Sequence, residues 1–190
     1  MSTTAIAPGV LTDRLPVSRL RDAALVVGGV LFVALASQVI IPLWFTPVPL
    51  SLATFAVILT GAALGPGKGA LTLGLYLAIG AAGAPVFADG GSGWSSASFG
   101  YIVGYILAAA AAGALARRGF DRTIGQTAVI VLACSALVYA VGVPWLMAAT
   151  GASLADGIAM GILPFLVGDA IKGVAAMALL PGTWRMIGSR

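Results

Sequence analysis

Histidine and glutamate are missing from this chain, and cysteine occurs once, at Cys134. Without histidine there is no Ser-His-Asp or Cys-His arrangement, and the aspartates form no paired-carboxylate site for acid–base work. A single cysteine closes no disulfide, and no Cys/His metal cluster can be assembled. Cys134 lies inside an apolar run and reads as a small buried packing residue. Charge of either sign is scarce: 8% of the 190 residues are charged and 60% are hydrophobic. Soluble domains carry about 25% charged residues, so a soluble fold of this size is excluded. The few basic residues are scattered between apolar runs and gather into no patch, which argues against nucleic acid as a partner. Residues 1–22 lack a signal peptide's basic start and continuous apolar core. What remains is an all-α integral membrane protein that is not an enzyme, with no metal or cofactor expected.

Six apolar segments are near the ~20 residues that a bilayer-spanning helix needs. They run over 23–42, 50–65, 69–85, 99–117, 124–147 and 156–181. They make one transmembrane domain, 23–182, between a tail at 1–22, ending in an interfacial helix, and another at 183–190. The second and third are short for full spans. Between them lies Gly65-Pro66-Gly67-Lys68-Gly69, a breaker cluster that predicts a tight helical hairpin. Pro144 and Pro164 are expected to bend the fifth and sixth. The breaker cluster looks like a phosphate loop at first sight. It lacks Gly at 62 and Ser or Thr at 69, and it sits between two membrane spans, so nucleotide hydrolysis is excluded.

The basic residues set the orientation. Arg14, Arg19 and Arg21 precede the first segment and Lys68 lies between the second and third. Arg117, Arg118 and Arg122 lie between the fourth and fifth, and Arg185 and Arg190 follow the sixth. The opposite loops, 43–49, 86–98 and 148–155, have no Lys or Arg. The positive-inside rule then places both termini in the cytoplasm.

Small residues recur at helix-packing spacing, as Gly61-x-x-x-Gly65, Gly100-x-x-x-Gly104 and Gly157-x-x-x-Gly161. Most of these read as packing within the chain. The stripe of Ala24, Gly28 and Gly29 on the first segment suits either internal packing or a partner subunit. Two outer loops are unusual. Loop 43–49, Leu-Trp-Phe-Thr-Pro-Val-Pro, is stiff and aromatic. Loop 86–98 is rich in Gly and Ser, and suits either a mobile lid or an extracellular linker. Trp44 and Trp94 in these loops suit either the lid or an interfacial aromatic belt.

One stretch carries charge at bilayer depth: Pro164-Phe165-Leu166-Val167-Gly168-Asp169-Ala170-Ile171-Lys172. A charged side chain there costs roughly 3 kcal/mol or more on insertion scales. Asp169 and Lys172 are three residues apart and share a helix face. Two readings follow, a structural ion pair between helices or a polar ligand site near the membrane midplane.

Four pieces of the chain, in this order, resemble a known family. They are Gln38-Val39-Ile40-Ile41-Pro42 leading to Pro47-Val48-Pro49-Leu50-Ser51-Leu52-Ala53-Thr54-Phe55, then Gly61-Ala62-Ala63-Leu64-Gly65-Pro66 with Gly69-Ala70. Gly80-Ala81-Ala82-Gly83-Ala84-Pro85-Val86-Phe87-Ala88 follows, running on to Gly100-Tyr101, and then the Asp169/Lys172 stretch. Together they span about 38–173, with Gly-Asp-x-x-Lys the most specific, and resemble the biotin-specific S component (BioY) of energy-coupling-factor (ECF) vitamin transporters. The family's usual Gly-Pro-Thr-Gly-Gly-Tyr is Ser96-Ala97-Ser98-Phe99-Gly100-Tyr101 here.

The resemblance implies a six-helix S-component bundle in the cell membrane of a prokaryote, taking up biotin from outside. It implies a site built on Asp169 and Lys172, with Asp89 nearest to the family's polar residue early in the loop that corresponds to 86–98. Biotin offers two ureido N–H groups, a ureido carbonyl, an apolar ring and a carboxylate tail. An Asp and a Lys one turn apart offer an acceptor and a donor to the ureido group. A reversed pose with the carboxylate on Lys172 stays open. Phe87, Trp94, Tyr101 and Tyr139 are available to cover the ring, with Trp44 beside the lid. The implied partners, besides membrane lipid, are a transmembrane T subunit and two cytoplasmic ATPases. The alternatives are an S component for another small vitamin, or a biotin facilitator acting without the ATPases.

Overall fold

A computed structural model of the chain describes residues 9–16 and 18–188. The first eight residues of the expected tail and Arg190 of the basic set lie outside them. Six helical runs follow one another: α1 Arg19–Ser37, α2 Ala53–Ala81, α3 Phe99–Arg117, α4 Ile124–Thr150, α5 Leu154–Gly161 and α6 Phe165–Gly188. All but α5 are long and apolar enough to cross a membrane.

The second and third apolar segments form the single run α2, which reverses at one residue. Gly65 adopts φ 81° and ψ 174°, a conformation closed to side chains with a Cβ. Pro66 then opens the second arm, where its missing N–H costs no helical hydrogen bond. The breaker is therefore tighter than the five-residue cluster predicts, because Gly67, Lys68 and Gly69 are already helical. The arms, 53–64 and 66–81, lie against each other: a Cβ on Gly69 would come 3.1 Å from the Gly61 Cα. A Cβ on Gly61 would come 2.4 Å from the Ala109 carbonyl oxygen, so α3 packs on the hairpin at backbone contact.

The sixth segment also differs from expectation. It is broken at 162–164, giving the short α5 and the long α6, which continues to Gly188. The residue before a proline is steered out of helical geometry, which accounts for a break at Pro164. Pro144 sits within α4, which runs on to Thr150. Outside the helices, β1 Ile40–Ile41 and β2 Leu50–Ser51 pair antiparallel, Ile40 opposite Ser51, so the proline-rich loop 42–49 is a hairpin. Loop 86–98 is folded back on α2: Gly93 N–H donates to Gly80 O at 2.8 Å, and Phe87 N–H to Gly91 O at 3.0 Å.

Arg117 lies beside Gly65, at the end that holds the α2 reversal. Lys68 pairs with Asp22 at 2.7 Å. Asp121 is fully buried; it accepts from Trp184 Nε1 at 2.6 Å and from Arg122 Nε at 3.1 Å. The Arg122 guanidinium lies 3.4 Å over the Trp184 ring and donates to Gly9 O. Part of the expected tail is thereby docked, with Val10 buried among Ala62, Ala116 and Leu180.

Candidate ligand-binding site

Asp169 and Lys172 lie one turn apart on α6, near its start and below the break at Pro164. Gly168 lets the neighbouring strand come close, since a Cβ there would lie 2.7 Å from Leu50 Cδ1. The two side chains are 15% and 11% exposed, and Lys172 Nζ lies 2.9 Å from Asp169 Oδ1. Two other elements complete the polar group. Lys172 Nζ donates to Thr54 Oγ1, on the first arm of α2, at 2.9 Å. Tyr139, on α4, donates its hydroxyl to Asp169 Oδ2. Each carboxylate oxygen thus has one protein donor and the ammonium has two acceptors, which offsets much of the desolvation cost of a buried pair.

This group lines a narrow cavity that is partly open to solvent. Its walls are largely apolar or aromatic, with Val48, Pro49, Ile102, Val138 and Phe165 alongside the rings of Tyr76, Tyr101 and Tyr105. A mainly apolar cleft with a few convergent polar groups is the usual form of a small-molecule site. Pro49, Ala88 and Ser98 border both this cavity and a second, more open space, the vestibule.

The residues singled out in the sequence separate into three places. Asp169, Lys172, Tyr101 and Tyr139 line the inner cavity. Tyr101 gives it only a ring, because its hydroxyl donates to Gly161 O at 2.9 Å and holds the end of α5. Phe87 and Asp89 line the vestibule. The Phe87 ring is buried edge-on against Tyr76, with centroids 5.4 Å apart, and Asp89 is exposed in a left-handed conformation, φ 58°. Trp44 and Trp94 are 95% and 68% exposed and line neither space. The tryptophan that holds the outer loop is Trp145, whose Nε1 donates to Ser96 O at 3.0 Å.

Ala24, Gly28 and Gly29 are also divided. Ala24 and Gly28 are exposed, and a Cβ on Gly28 meets nothing within 4 Å. Gly29 turns inward, where a Cβ would lie 2.8 Å from Thr72 Cγ2. A shallow groove runs along this face between α1 and the first arm of α2.

Thr54, Ser51, Tyr76 and Tyr105 also line the cavity, and no charge marks them in the sequence as site residues. Ser51 and Thr54 stand in the proline-flanked motif that carries the family resemblance; Tyr76 interrupts an aliphatic arm, and Tyr105 follows Tyr101 one turn on.

A family model described as the BioY family matches residues 8–189. The chain belongs to the BioY family. It is 38% identical over 150 residues to a probable biotin transporter BioY of Pyrococcus horikoshii, covering 78% of this chain and 89% of that protein. It is 30% identical over 159 residues to the biotin transporter BioY of Rhizobium etli, covering 78% and 84%. Its fold matches the crystal structure of the S-component for biotin from an ECF-type ABC transporter. That match has a TM-score of 0.79 at 22% identity, over 90% of this chain and 95% of that one. As a BioY family member with five long apolar helices, the chain is a multi-pass cell-membrane protein.

Proposed function

We propose that this chain is the biotin-binding S component of a vitamin uptake system, with the ureido group of biotin seated on Asp169 and Lys172. The observation that carries this reading is the pair itself, held by Thr54 and Tyr139 in an apolar-walled cavity with hydrogen-bonding capacity to spare. An ionised carboxylate offers about four lone-pair sites and an ammonium three N–H bonds. With two sites on Asp169 already engaged, two remain for the ureido N–H groups. The third N–H of Lys172 remains for the ureido carbonyl. The positive charge of Lys172 is already matched by Asp169, which favours a neutral polar group there over the biotin carboxylate. The valeryl tail then points toward the vestibule and its water. The fused ring lies among Tyr101, Tyr105 and Phe165.

Uphill uptake needs an energy source, and the chain takes it from a transmembrane T subunit and two cytoplasmic ATPases. The face that docks is the groove at Ala24 and Gly28, where the backbone is open and the buried Thr60 Oγ1 has no hydrogen-bond partner among the described residues. The basic end of the bundle faces the cytoplasm, with both termini, and the two outer loops face outside. Residues 23–182 form the transmembrane domain between two cytoplasmic tails.

The test is equilibrium binding of tritiated biotin to the purified chain, with thiamine and riboflavin as competitors. Saturable binding displaced by unlabelled biotin alone is expected. Displacement by either other vitamin would reassign the ligand.

A further inference from the structure

Ligand entering the inner cavity from the vestibule must pass Pro49, Ala88 and Ser98, the residues that border both spaces. Of these, Ala88 belongs to the short turn Ala88–Gly90. Phe87, just before the turn, is anchored: a Cβ on Gly80 would lie 2.2 Å from its ring, and Val86 O accepts from the Tyr76 hydroxyl at 3.1 Å. Among the described residues, the side chain that hydrogen-bonds the turn beyond Phe87 to the helical bundle is Gln38, which caps the end of α1; past the turn, Gly93 N–H holds the loop to Gly80 O. Gln38 Nε2 donates to Phe87 O at 2.9 Å, with Val86 O at 3.3 Å and Ala34 O at 3.2 Å sharing the amide protons. Gln38 Oε1 accepts from Gly90 N–H at 3.0 Å. The amide orientation follows from these partners, since carbonyls need its NH2 and Gly90 N–H needs its oxygen. Asp89, between the two tied positions, is held left-handed, a conformation that relaxes readily once the turn is released.

We propose that Gln38 is the latch of the binding site: its amide holds the Ala88–Gly90 turn across the passage between vestibule and inner cavity, and biotin enters and leaves only when those bonds open. Gln38 is a positioning residue that touches no ligand; it acts through Ala88. The inference rests on the biotin reading for its ligand but not for its geometry, and the test separates the two. Gln38 is itself exposed, so Gln38→Met keeps length and removes every bond at little risk to the fold.

The first measurement needs no biotin. A cysteine at Ser51, which lines only the inner cavity, is labelled by an impermeant thiol reagent in a Cys134→Ser background. Adding Gln38→Met is expected to speed labelling about tenfold, the equivalent of losing one to two hydrogen bonds. Gln38→Glu keeps the acceptor for Gly90 and loses the donors, and is expected to fall between. The second measurement is release of tritiated biotin, expected to quicken about tenfold in Gln38→Met. Association should quicken too, so that Kd moves much less. Equal labelling rates with Gln38 intact and in either folded variant overturn the latch. A wild-type chain that binds no biotin yet shows the labelling difference leaves the latch standing and removes the ligand.

Discussion

Lys172 Nζ lies 2.9 Å from Thr54 Oγ1, a hydrogen bond that joins α6 to the first arm of α2 across 118 positions of sequence. With Tyr139 donating from α4 to Asp169, the polar floor of the cavity is held by three separate helical elements. The ammonium is therefore pinned in two directions, toward Asp169 and toward Thr54.

Removing the second tether leads to the first prediction. Thr54→Val preserves shape and deletes the acceptor, while Asp169 still pairs with Lys172. Hydrogen bonds to charged groups contribute about 1.5–3 kcal/mol. Biotin Kd is expected to rise roughly tenfold, with a small change in thermal stability, measured by equilibrium binding and a melting curve. An unchanged Kd would mean that Asp169 alone orients the ammonium.

The groove on α1 leads to the second prediction. Gly28 opens onto empty space, so Gly28→Leu should leave folding and biotin binding intact while reducing uptake in cells that carry the T subunit and ATPases. Gly61→Leu is the contrast. Its side chain would be driven into the Ala109 backbone, 2.4 Å from a Cβ, and overpacking of that kind typically costs 1–3 kcal/mol or more. Gly61→Leu should lose folded protein; full uptake by Gly28→Leu would remove the docking face from α1.

The charge asymmetry leads to the third. Single cysteines at Ser92 and Arg118, both exposed and at opposite ends of the bundle, in a Cys134→Ser background, should react with an impermeant maleimide from opposite sides of the membrane. Labelling of both from one side would sink the orientation.

Asp169 and Lys172 stand out in the sequence because charge inside an apolar run is costly and a three-residue interval puts both on one helix face. The reversal at Gly65 is legible too, since Gly-Pro admits few other backbones. Thr54 gives no such signal. A threonine within a helix usually turns its hydroxyl to the carbonyl four residues back, as Thr72 does to Lys68 and Thr150 to Leu146. Only the packing of α6 against α2 shows that Thr54 has a different partner. The loop aromatics are ambiguous for the opposite reason. Trp44 and Trp94 lie in loops whose sequence suits either a lid or an interfacial belt; both are exposed and line neither the cavity nor the vestibule, whereas Trp145 holds the loop from inside α4. Gln38 carries bonds to positions 48 to 52 residues away, a separation that no local pattern reports.

The last prediction decides between a structural and a ligand-holding role for the central pair. Asp169→Asn keeps size and one acceptor oxygen but leaves Lys172 charged and unmatched among apolar walls. Lys172→Met leaves the carboxylate in the same position, with Tyr139 as its remaining donor. Removing one partner of a buried pair costs about 3–5 kcal/mol, whereas replacing both is often close to neutral. Each single change should therefore lower the melting temperature and weaken biotin binding at least tenfold. The double change, Asp169→Asn with Lys172→Met, should recover most of the lost stability. If the pair only ties α6 into the bundle, the stable double variant binds biotin like the wild type. If the pair seats the ureido group, the double variant melts normally and still binds poorly, because the acceptor charge and the third N–H donor are both gone. The second outcome is expected, and wild-type affinity in a stable double variant would move the ligand away from this floor.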